Sequence, residues 1–157
     1  MPINRKTRIR TTATFTSGSF KTADLEEKPR FRGAYGDDTA IWLMLELEMR
    51  GVDVEPGIVQ ADVGWYFTCR ISGREYVMRV CLSDPAGSVW QVSVERNVTG
   101  VAALFGGRKR AVRGEAVQSL HLALAGSDKV RGVWWHLEQD IKAGRDGKGI
   151  SQPIAAG

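Results

Sequence analysis

Residues 62–71, DVGWYFTCRI, and residues 74–82, REYVMRVCL, stand on either side of the dipeptide Ser72-Gly73. Both runs are rich in β-branched and aromatic residues and alternate apolar with polar side chains, as half-buried strands do. A Ser-Gly loop of two residues closes a hairpin and pairs Ile71 with Arg74. In that register Cys69 faces Tyr76, Phe67 faces Met78, Trp65 faces Val80 and Val63 faces Leu82, so one face is apolar throughout and Trp65 belongs to the core. The other face pairs Arg70 with Glu75, Thr68 with Val77 and Tyr66 with Arg79. A slip of one residue would turn every side chain to the wrong side. The register puts Cys69 on the core face and Cys81, opposite Gly64, on the other, a poor placement for a disulfide.

The elements around the hairpin follow from it. VWQVSVE, residues 89–95, is a third strand with Trp90, Val92 and Val94 on one side. Three antiparallel strands with one apolar face need a cover. Residues 38–50 supply one helix. Asp37, Asp38 and Thr39 offer caps at its start, and Gly51 ends it. The alternation of Leu43, Leu45, Leu47 and Met49 with Glu46, Glu48 and Arg50 leaves a strand as the rival reading. Glu46 and Glu48 read as a solvated face. Glu115 to Ala125 supply a second helix, with Val117, Leu120 and Leu124 as its stripe and Ala116 and Ala123 beside it. VRGVWWHL, residues 130–137, is a further edge strand by its β-branched and aromatic content, or the start of a third helix. The expected fold is a two-layer α+β domain: N-terminal helix, three-stranded antiparallel meander, second helix, further edge strand.

The segments GWYF, SGREYVMRV, VWQVSVE and GVAALFGGRKR, followed by a helix and VRGVWW, resemble a pattern of small uncharacterised bacterial proteins over residues 38–137. The element order also looks like the layout of secretion-chaperone-like domains. That likeness is topological and implies binding of other polypeptides.

Charge divides the chain. Of 22 Lys/Arg and 18 Asp/Glu, residues 1–36 hold eight basic and three acidic side chains. The remainder, with 14 basic and 15 acidic, is close to neutral. The N-terminal segment is also rich in Thr, Ser and Gly, with no clear apolar helix face. It reads as a flexible basic arm over residues 1–35, or a targeting segment. Residues 36–141 form the single α+β domain, and residues 142–157 a polar, Gly-rich, flexible tail. No apolar run is long enough to span a bilayer, so no transmembrane segment is expected and the location reads as cytoplasmic. Two cysteines without CxxC or CxxH spacing and two histidines are too few for a zinc set, and no cofactor is expected.

LFGGRKRAVRG, residues 104–114, sets two glycines before four cations. Its spacing is not that of a P-loop, and no Ser or Thr follows Lys109. It reads as a solvated connection. Alternatively Arg108, Lys109, Arg110 and Arg113 contact an anion, or Leu104 and Phe105 touch a membrane. His121 reads as a half-buried structural histidine beside the apolar stripe. His136 lies on the last strand with Glu138 nearby, but no nucleophile with a supporting motif is in view. Trp134 and Trp135 are adjacent, so on a strand they face opposite sides and one needs a cover. The expectation is a non-enzymatic binding module that engages a protein partner, or forms a homodimer, through the sheet edge with Trp134, Trp135 and His136. The alternative is a nucleic-acid-associated protein using the basic arm and Arg108–Arg113. A small enzyme is a third reading.

Overall fold

In a computed structural model the residues described are 8–20, 35–84, 86, 88–97, 112–144 and 149–155. The hairpin forms from β5 (Trp65–Ile71) and β6 (Arg74–Asp84), with Trp65 opposite Val80, Phe67 opposite Met78 and Ile71 opposite Arg74. Ser72 and Gly73 both take positive φ, 52° and 77°, the backbone of a type I′ turn. β7 (Val89–Arg96) continues beside β6, with Val80 opposite Val92 and Leu82 opposite Trp90. Phe67, Cys69, Tyr76, Met78, Val80, Leu82, Trp90, Val92 and Val94 are buried along one face. Two expectations at its end differ. Val63 lies beyond the ladder and is 53 % exposed, and Trp65, the first residue of its strand, is half-buried.

The sheet is larger than a three-stranded meander with one added edge, and the chain enters it before the first helix. Thr12–Thr16 form β2, which lies between β7 and the late strand β8 (Arg131–His136) and is antiparallel to both. Two short strands, β3 (Asp53–Val54) and β4 (Val59–Gln60), both pair with the edge of β5 away from β6. The order is β3-β5-β6-β7-β2-β8, with β4 also on β5, seven strands in all. Thr12, Thr14 and Thr16 alternate with Ala13 and Phe15, which are 0 % and 1 % exposed. Phe20 then packs edge-to-face on Trp90, with ring centroids 5.8 Å apart, and 5.2 Å from Trp42. Part of the expected basic arm is therefore inside the domain. Alternation and two aromatic rings overrode its polar composition. Residues 1–7 and 21–34 of the arm lie outside the described residues.

The expected C-terminal tail is corrected in the same way. Ile154–Ala155 (β9) pair with Arg8–Ile9 (β1) in a separate two-stranded ladder. Ile150 and Trp135 exchange backbone hydrogen bonds of 2.6 and 3.0 Å. These bonds hold the polar segment on the edge of β8.

Two helices cover one face of the sheet. Helix α1 spans Asp37–Met49 and starts after Gly36, with Asp38 Oδ1 accepting from the Thr39 amide at 2.9 Å. Its Ala40, Leu43 and Leu47 are fully buried, and Trp42 is buried too. Helix α2 spans Gly114–Ala125 and buries Ala116, Val117, Leu120, Ala123 and Leu124. A short helix, α3 (Glu138–Lys142), follows β8. Among the described residues no helix is long and apolar enough to cross a membrane.

Candidate functional site

β8 places the two adjacent tryptophans on opposite faces, as strand geometry requires. Trp135 is fully buried, and its indole N–H donates to Nδ1 of His121 on α2 at 3.0 Å. Trp134 is half-buried on the far face. His136 is 4 % exposed, and its Nε2 shares a 2.8 Å hydrogen bond with Thr14 Oγ1 on β2. Gly149 lies against the same ring, and a Cβ added there would stand 2.8 Å from it. Trp135 and His136 were expected as contact residues at a sheet edge. They are instead enclosed, because β2 and the C-terminal segment occupy their flanks.

The edge itself is short. β8 is the outermost strand, and Ile150 already takes both outward backbone groups of Trp135. Gly132 departs from extended geometry with φ of 62°. Addition of a peptide strand needs a regular row of free amides and carbonyls. Arg131–Val133 offers little of one.

The sheet face away from the helices is polar. Tyr66, Arg79, Ser93, Thr12 and His136 lie in register across β5, β6, β7, β2 and β8. Thr12 and His136 close one end of this row by burial. A shallow cleft of about 250 Å³ at the other end touches Tyr66, Arg79 and Glu95. In the cation cluster, Arg113 is exposed at the N-cap of α2, and Glu115 stands in the first turn. Arg108, Lys109 and Arg110 lie outside the described residues.

The reactive side chains have structural occupations. Burial, together with the charge of Asp53, pushes the Cys69 thiol up to about 12. It is a thiol at neutral pH and a poor nucleophile. Burial lowers the His121 pKa, which suits a neutral ring whose Nδ1 accepts from Trp135. No group of three His, Cys, Asp or Glu among the described residues could hold a metal ion.

The surface that sequence reasoning missed is on the helices. Helix α1 reads DDTAIWLMLELEM, apolar around most of its circumference. A helix of that kind is ordinarily enclosed. Here the inner side packs on the sheet, while Ile41, Leu45 and Met49 point outward, 49 %, 53 % and 78 % exposed. Spaced at i, i+4 and i+8, they form one stripe. Leu122, in the last turn of α2, is 57 % exposed. The C-terminal ends of the two helices meet where the Arg50 guanidinium lies against Gly126. The signal was present in the sequence, because Ile41, Leu45 and Met49 fall on one side of a helix whose other side is already apolar. Compared with protein-family models, curated proteins and solved structures, the chain matches none.

Proposed function

We propose that the chain is a non-enzymatic binding module that engages a protein partner, or a second copy of itself, through the outward face of its helical layer. One observation carries the reading: α1 has a second apolar face, Ile41–Leu45–Met49, that the domain leaves in water. Isolated apolar residues on a surface are ordinary, whereas a contiguous stripe along a helix is a docking feature. A helix presents such i, i+4 anchors to a partner without any change of backbone. The face takes the place of the sheet edge, which Ile150 closes at Trp135.

A photo-crosslinking amino acid at position 45, compared with one at exposed Arg79 on the opposite side of the sheet, tests the reading in cells. The expected result is an adduct of defined mass from position 45 and none from position 79. Adducts from both positions, or from neither, would overturn it. Leu45→Ser and Met49→Ser should change folding stability by less than about 0.5 kcal/mol, as exposed positions do. Leu43→Ala on the buried side should cost about 2–5 kcal/mol.

A further inference from the structure

The two helices that form the outer layer carry Asp37, Asp38, Glu46, Glu48 and Glu115, and not one Lys or Arg, in a chain whose net charge is +4. The layer is therefore the acidic side of a basic protein. Three of the five acids have a local purpose, since Asp37 and Asp38 stand at the positive end of the α1 dipole and Glu115 at that of α2. Glu46 and Glu48 have the opposite placement. They stand near the C-terminal end, where the dipole disfavours them and where the last turn has no basic residue. Helix stability does not account for them. Arg50, the nearest cation along the chain, is drawn off toward Gly126 at the end of α2. The stripe Ile41–Leu45–Met49 is thus an apolar line with carboxylates beside it.

We infer that the occupant of this face is an amphipathic helix of another protein, with an apolar stripe flanked by Lys or Arg. The inference rests on the binding reading above and names its partner class. The apolar stripe of such a helix would cover Ile41, Leu45 and Met49, and its cations would reach Glu46 and Glu48. Complementary rim charges of this kind set partner choice and encounter rate more than raw affinity. A second copy of this chain fits less well. Laying α1 on α1 would set four carboxylates against four with no base on either helix. The 13 residues of α1 make a helix about 20 Å long, enough for three to four turns of a partner.

The test uses the full chain and three labelled peptides of about 14 residues, or four turns: a Leu/Lys amphipathic helix, its Leu/Glu counterpart, and a Leu/Lys peptide with the same composition scrambled. Affinity is read by fluorescence anisotropy at physiological salt. The Leu/Lys helix should bind at least about tenfold more tightly than either control. Leu45→Asp should abolish that binding, and Glu46→Lys with Glu48→Lys should weaken it about tenfold and favour the Leu/Glu peptide. Circular dichroism checks that each variant is folded. Equal binding of the amphipathic and scrambled Leu/Lys peptides would overturn the proposal, as would binding indifferent to the α1 variants. Preference for the Leu/Glu peptide, lost in Leu45→Asp, would overturn the partner chemistry and leave the docking face standing. So would a dimer, seen by sedimentation, that Leu45→Asp dissolves. No peptide binding and no dimer would remove both readings.

Discussion

The indole N–H of Trp135 donates to Nδ1 of His121 over 3.0 Å, tying the last strand of the main sheet to the second helix. The bond fixes the imidazole as a neutral acceptor, with its proton on Nε2. Burial also lowers the His121 pKa from its ordinary value of 6.5. The unfolded chain therefore takes up this proton first as pH falls. The stabilisation is present above the ordinary imidazole value and is lost as pH drops toward the lowered one. Urea unfolding should show a falling midpoint between about pH 7.5 and about pH 5. His121→Gln should lose about 1 kcal/mol at the higher pH and decline less steeply. An unchanged decline in the variant would remove His121 as the source.

Deleting residues 1–20 should abolish cooperative thermal unfolding, because it takes out β2 from between β7 and β8 together with Phe15 and Phe20. The single change Phe15→Ala should cost about 3–5 kcal/mol. A truncated chain that melts within a few degrees of the intact one would show that β2 is dispensable.

The hairpin was legible because its information is local. Ser72-Gly73 sets the turn, and seven consecutive residues on either side agree about which face is apolar. Helix α2 was legible for the same reason, since Val117, Leu120 and Leu124 fall one above another. β2 carries a weaker version of the same signal, Thr-Ala-Thr-Phe-Thr, and the flanking cations outweighed it. Its partners, Trp90 and Trp134 among them, lie far along the chain, so nothing nearby announced the pairing. The position of β2 in turn decided the fate of the expected site. Sequence alone could say that Trp134 and Trp135 face opposite ways, but not that Trp135 is the covered one.

Gly149 has φ of 62°, and a side chain there would run into the Trp135 carbonyl and stand 2.8 Å from the His136 ring. Gly149→Ala should therefore cost about 1–3 kcal/mol. It should also raise amide exchange at Ile150 and Trp135, which exchange backbone hydrogen bonds. Unaltered protection at both amides would mean that the segment does not depend on this contact.

Replacing Arg108, Lys109, Arg110 and Arg113 by Ser should change stability by at most about 1 kcal/mol per side chain. No submicromolar binding to generic RNA or duplex DNA is expected from the intact chain at physiological salt. If such binding appears, and the fourfold variant flattens its log–log salt dependence by roughly three to four units, the cluster grips a polyanion. The nucleic-acid reading would then replace the one argued above.

The place of β2 also orders events during synthesis. Thr12–Thr16 emerge from the ribosome well before one of their two neighbours, Arg131–His136. Until then a nascent chain can pair β2 with β7 on one side only, and its other edge stays open to foreign strands. Pairings so distant in sequence slow folding and lengthen the exposure of unpaired edges. Chaperone dependence and inclusion-body formation should therefore follow the arrival of β8 more closely than that of the early hairpin.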